Sequence, residues 1–110
     1  MNSILEAGQT AYQSVSTSVL RVFGASGWTG ADSGAGQQRI VTLCTCSGAA
    51  VFVQSIDQAA ALAGAVSATD YLVSLAAGQT AVLRLAAGQS LAVISAGTSV
   101  VRASEVVEVA

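Results

Sequence analysis

The sequence contains no histidine, no lysine and no proline, and charged residues make up only 9% of its 110 residues. Without histidine, neither a Ser-His-Asp nor a Cys-His catalytic arrangement can form within one chain, and the commonest general base and metal ligand is missing. No two carboxylates are spaced for acid–base catalysis. We therefore expect no enzyme, no metal site and no cofactor.

The shortage of positive charge argues against two further classes of partner. The only cations are four scattered arginines, whereas a protein that binds nucleic acid through its phosphates needs a basic cluster. A protein that binds a membrane surface needs a basic amphipathic helix, and a membrane-spanning helix needs about 20 apolar residues. We predict neither in this chain, and therefore expect no membrane partner. Since residues 1–6 lack the basic start of an export signal, we expect the protein to act where it is made, or to be released by lysis.

Hydrophobic residues are abundant, at 53% of the chain, but aromatic residues contribute only 5%. So apolar a chain is not disordered. A surface with far less charge than the ordinary value of about 25% needs cover, and burial in an assembly would provide it. The alternative is a neutral surface rich in glycine, alanine, serine and threonine that keeps a monomer soluble.

Short β-branched runs separated by glycine predict an all-β fold. Residues 38–54 have the pattern of a hairpin that turns at Ser47–Ala49. The string Leu-Ala-Ala-Gly-Gln occurs at residues 75–79 and again ten residues later, which predicts an antiparallel meander over residues 71–103. Residues 12–23 alternate as one long strand. Residues 55–70 are compatible with a helical turn or two, or with a loop or strand edge.

Together these elements predict one domain over residues 1–110. It would be a single antiparallel β-sandwich or barrel, jelly-roll-like, with an extended N-terminal arm at residues 1–11 and the sandwich at residues 12–110. Alternation in residues 80–85 places Ala81, Leu83 and Leu85 inward. The strand around Leu91 is apolar on both faces, so we expect it to be central in its sheet.

Several side chains have two interpretations. Trp28, in a glycine-rich loop, is either an anchor at a partner interface or a plug at one end of the core. Cys44 and Cys46 are expected on one face of a strand as two small buried hydrophobes, or alternatively as thiols that cross-link subunits in an oxidising medium. Glu105 and Glu108 are expected to form a charged, exposed end. We predict a partner interface at Ile4, Leu5, Tyr12, Trp28 and Arg39.

The chain resembles the small all-β virion proteins of tailed bacteriophages, in particular capsid decoration, or cement, proteins. The resemblance is carried by the chain's size, the Ser/Thr-rich first strand, and the strings Arg-Ile-Val-Thr and Ala-Val-Phe-Val at residues 39–53. The strings at residues 71–80 and 91–98 carry more of it. It implies a homotrimer that binds the major capsid protein and stabilises the shell on the virion surface, after synthesis in the host cytoplasm. A receptor- or glycan-binding module of a phage tail or fibre is the alternative.

Overall fold

The computed structural model describes residues 4–23 and 37–109, and these form eight β-strands and no helix. The strands are β1 (Ile4–Val15), β2 (Leu20–Arg21), β3 (Gln38–Gly48), β4 (Val51–Asp57), β5 (Val73–Leu75), β6 (Thr80–Leu85), β7 (Gln89–Ser95) and β8 (Ser99–Val109). The β-branched runs of the sequence account for this, because such side chains fit a pleated, half-buried surface.

The strands form two four-stranded antiparallel sheets. Sheet A has the order β1-β8-β3-β6, and sheet B has the order β2-β7-β4-β5. Strands pair from the ends of the chain inwards: β1 with β8, β2 with β7, β3 with β6, and β4 with β5. The chain thus folds back on itself as one long antiparallel hairpin, which wraps around the core. This is the topology of the eight-stranded jelly roll. The predicted all-β, jelly-roll-like sandwich is confirmed.

The hydrophobic core lies between the two sheets and is built by alternate residues of each strand. Sheet A contributes Val41 and Leu43, and sheet B contributes Val53, Leu91 and Val93, all of them fully or almost fully buried. Removal of this aliphatic surface from water is the main favourable term in folding. The inward orientation predicted for Ala81, Leu83 and Leu85 is confirmed, and β7 is central in sheet B as expected.

The predicted hairpin and meander are wrong, although their strands exist. Strands β3 and β4 belong to different sheets, and so do β5 and β6, β6 and β7, and β7 and β8. Each of these short turns crosses the sandwich instead of joining neighbours in one sheet. The recurring Ala-Ala-Gly-Gln string forms two such turns, in which Gly78 and Gly88 adopt positive φ. In each turn the backbone N–H of the glutamine donates to the carbonyl oxygen of the first alanine.

The N-terminal region divides differently from the predicted arm and single strand. Residues 4–11 are extended and already pair with β8, with a β-bulge between Ala7 and Thr10. The predicted strand over residues 12–23 is interrupted after Val15, where the chain crosses from sheet A to sheet B. The Ser95 N–H donates to the Ser16 carbonyl oxygen at 2.8 Å and so satisfies one backbone group at this crossing.

Residues 58–72 form a loop of turns that covers the outer face of sheet B, so the loop alternative holds for that segment. Arg21, Ala92 and Gln54 lie in one cross-strand row on that face. The loop bonds to both ends of the row: Arg21 Nη2 donates to the Ala60 oxygen at 2.5 Å, and Gln54 Nε2 donates to Asp70 Oδ1 at 3.3 Å. Consequently Ala92, between them, has an exposed fraction of 0%.

Candidate assembly surface

The outer face of sheet A is lined by side chains that are half-buried or exposed, and no described residue covers it. We define it by the cross-strand rows Tyr12–Arg102–Cys44–Thr80 and Thr10–Ser104–Thr42–Val82, together with Ser14, Ile40, Arg84, Val100 and Val106. Their strand neighbours point into the core, and these side chains are half-buried or exposed. Sheet B therefore has a cover of its own chain, and sheet A has none in the described part.

This face carries little charge and some exposed apolar surface. Val82 is 65% exposed and Tyr12 is 61% exposed. Among its described side chains, the charged ones are Arg84 and Arg102. Exposed Asp57 and Asp70 lie on the strands and loop of the other sheet. A face with two charges and exposed apolar groups among its described side chains suits contact with another protein surface.

The structure places three of the predicted interface residues on or near β1. Tyr12 lies exposed on the outer face of sheet A, opposite Arg102 of β8. Ile4 and Leu5 begin β1 and pair with Val109 and Glu108; their side chains lie outside the described part. Trp28 falls in residues 24–36, which also lie outside the described residues, so both of its interpretations stay predictions.

Arg39 and Glu105 occupy different places from those predicted. Arg39 is 1% exposed and lies inside the sandwich, where its guanidinium donates to the carbonyl oxygens of Gln37 and Gln89. Burial lowers the pKa of Arg39, and the charge of Glu105 opposes that shift. Glu105 is only 5% exposed, so it is not part of a charged exposed end. Buried in its own chain, Arg39 does not offer its charge to a partner.

A small pocket lies beside the Arg39 guanidinium at the end of the core. Phe23, Leu85 and Leu91 are among its lining residues, with Ser90 as a further polar group. The flanking positions, Phe23 and Gln37, border the segment outside the described residues. The pocket therefore belongs to the end of the core and supplies no cluster of reactive groups.

The two cysteines are free thiols and are more accessible than expected. Cys44 is half-buried on the outer face of sheet A, and Cys46 is exposed. A β-bulge between Thr45 and Ser47 changes the register there, so the two side chains do not form the predicted pair of buried hydrophobes. The Cys46 Sγ lies 3.8 Å from the Cys44 carbonyl oxygen.

A smaller aromatic patch lies on the sheet B side. The rings of Phe52 and Tyr71 have centroids 5.0 Å apart and are tilted by 46°. Leu72, beside them, is 56% exposed. The Leu72 N–H donates to the Val53 carbonyl oxygen at 2.8 Å, which places Leu72 beside β4 at the start of β5.

The described residues show no constellation for metal chemistry: over 4–23 and 37–109, no three side chains of the histidine, cysteine, aspartate or glutamate type come together as ligands. The same part of the chain holds no helix with the length and apolarity needed to cross a bilayer.

Comparison with known proteins finds a similar fold but no relative in sequence. No family model and no curated protein matches the chain. Among solved structures, the chain is similar to a protein of the Bacillus endospore appendages, which are described as a novel family of disulfide-linked pili. The TM-score is 0.57 with 8% sequence identity, and the match covers 100% of this chain and 93% of that chain. At this identity the likeness concerns the fold alone.

Proposed function

We propose that this chain is a non-catalytic structural subunit that works by associating with copies of itself and with a larger protein shell. The carrying observation is the outer face of sheet A, a four-stranded surface that no described residue covers and that has two charged residues among its described side chains. Contact with another protein would bury Tyr12 and Val82, which an isolated chain leaves in water.

The setting that we propose is the surface of a bacteriophage capsid, with the major capsid protein as the partner and a homotrimer as the docked form. The resemblance to decoration proteins supports it, and so does the low charge of the face. The mechanism would be passive: each docked copy adds contact area across neighbouring shell subunits, and many weak contacts act together. The fold shared with a protein of disulfide-linked pili supports a role for this architecture in repeated assemblies. The exposed Cys46 adds a route to cross-linking after release into an oxidising medium.

The decisive experiment adds positive charge to the middle of the outer face of sheet A. Thr42→Lys and Ser104→Lys place a cation on neighbouring central strands of sheet A, while Ala68→Lys places the same charge on the exposed loop over sheet B. Sedimentation velocity reports self-association, and co-sedimentation with capsids that lack the protein reports docking. We expect the two face variants to lose docking on capsids and A68K to retain it. A wild-type chain that stays monomeric to about 1 mM, a very weak affinity, and ignores capsids would contradict the proposal.

A glycan-binding module of a phage tail or fibre is the second candidate, supported by the Phe52–Tyr71 ring pair with Leu72 beside it. A glycan array with Tyr71→Ala as the comparison separates the two functions. Retention of the wild type and not of Y71A would favour the glycan-binding function.

A further inference from the structure

The two sheets differ in how their edges are protected. The edge strands of sheet B are short, with two residues in β2 and three in β5. Those of sheet A are longer: β6 has six residues, and β1 has twelve, interrupted by the bulge after Ala7. Short strands and bulges are ways in which proteins block pairing at an edge. The regular part of β1, Thr10–Val15, and the whole of β6, Thr80–Leu85, lack such protection.

The exposed side of β6 presents backbone groups for pairing. The Thr45 N–H donates to the Gln79 carbonyl oxygen at 3.1 Å, which identifies that pair as a hydrogen-bonded one. Because hydrogen-bonded and non-hydrogen-bonded pairs alternate along an antiparallel ladder, the next non-bonded pairs are Cys44–Thr80 and Thr42–Val82. The N–H and C=O groups of Thr80 and Val82 therefore point away from β3, toward the open side of the sheet.

The strand directions let the open edges of two copies meet. Sheet A has four strands and each neighbouring pair is antiparallel, so β1 and β6 run in opposite directions. When two copies have the same orientation, β6 of one and β1 of the next are antiparallel, and the sheet continues without a break in its pattern. Both edges are free of proline, which would remove a donor.

We propose that a second copy of this chain binds by β-augmentation, with Thr80–Leu85 of one subunit pairing with Thr10–Val15 of the next. This rests on the proposed function, that the chain assembles with itself, and it names the surface. The two segments have the same length, six residues. Thr80 and Val82 bring no charge to the seam, and Arg84 is the one charged residue of the β6 segment. Because different edges meet, the contact is heterologous, and repetition generates a ring or a filament.

The test changes single edge residues and leaves the core intact. Val82→Pro removes an outward N–H that the sheet does not use, a position at which an edge strand accepts proline. Val82→Lys and Ser14→Lys place a charge on the β6 and β1 edges. Leu72→Lys is the matched control, because Leu72 is a similarly exposed apolar residue away from sheet A. Circular dichroism verifies folding, and sedimentation over a concentration series gives the association constant.

We expect the wild type to form species beyond the dimer. V82P should associate about tenfold more weakly, the effect of losing one hydrogen bond, and V82K and S14K should also associate more weakly because each places a charge at the seam. L72K is expected to match the wild type. Normal association of V82P and V82K would overturn the edge contact while leaving the proposed function in place. If S14K associates normally and its largest species is a dimer, pairing with β1 would be overturned. A wild type that binds capsids but not itself overturns the edge contact alone, and one that does neither overturns both proposals.

Discussion

At the scale of single residues, the buried charges of sheet A show that the burial of a side chain depends on which face of its strand it lies on. Strand β3 carries Arg39, Val41 and Leu43 on its inner face and Ile40 and Thr42 on the outer. Both faces are mixed in polarity, so alternation alone does not decide which one is buried. The inward orientation follows from the partner strands, and these were not predictable from a local pattern. That is why Arg39 was expected at an interface, and Glu105 at an exposed end.

The pair of buried charges gives the first stability prediction. Arg39→Met leaves Glu105 buried without its cation, and we expect a loss of about 3 kcal/mol in the free energy of unfolding, because an uncompensated buried charge is costly. The double variant Arg39→Met/Glu105→Leu should lose less than the sum of the two single variants. Arg102→Met, which removes an exposed arginine from β8, is the control and should change stability by less than about 0.5 kcal/mol. Urea unfolding measures all four, and strict additivity would show that the two charges do not interact.

At the scale of elements, the positions of most strands could be predicted from the sequence and their partners could not. The ten-residue rhythm of residues 71–103 marks turns around Gly78 and Gly88, and the structure has turns there. A turn that joins neighbours in one sheet and a turn that crosses a sandwich have the same local sequence. The difference is decided by the long-range pairing of β3 with β6 and β8, which leaves no local signal. For the candidate site, Tyr12 could be predicted as exposed, while the uncovered face around it follows only from the sheet order.

The turn between β3 and β4 depends on a single glycine. Gly48 has φ +97°, and a Cβ there would overlap the backbone oxygen of Thr98 and lie 2.7 Å from the Cα of Ser99. Gly78 has φ +86° but nothing within 4 Å of such a Cβ. We therefore expect Gly48→Ala to lower the free energy of unfolding by about 3 kcal/mol, and Gly78→Ala by only about 1 kcal/mol, the cost of the left-handed backbone alone. Thermal or urea unfolding compares them, and equal losses would mean that crowding by Thr98 is relieved at no cost.

At the scale of the whole molecule, the charge of each sheet face, and whether the chain's own residues cover it, determine which contacts an assembly can use. Sheet B is covered by residues 58–72, which bond to it through Arg21 and Gln54. No described residue covers the outer face of sheet A. With a net charge of −2 and charged residues at 9% of the chain, long-range steering is weak, so contact would depend on apolar area and on backbone hydrogen bonds.

Association of this kind should be insensitive to salt. Between about 50 and 500 mM NaCl, screening removes most of the interaction between exposed charges, but it leaves backbone hydrogen bonds and apolar contacts almost unchanged. We expect the self-association constant measured by sedimentation to vary by less than about threefold over that range, since exposed ion pairs are worth little. A tenfold fall would instead assign the contact to Arg84 and Arg102 on one subunit meeting Asp57 and Asp70 on the next. In that arrangement sheet A would pack face to back on the loop over sheet B, and V82P, which adds no charge to the face, would leave association intact while Arg102→Met abolished it.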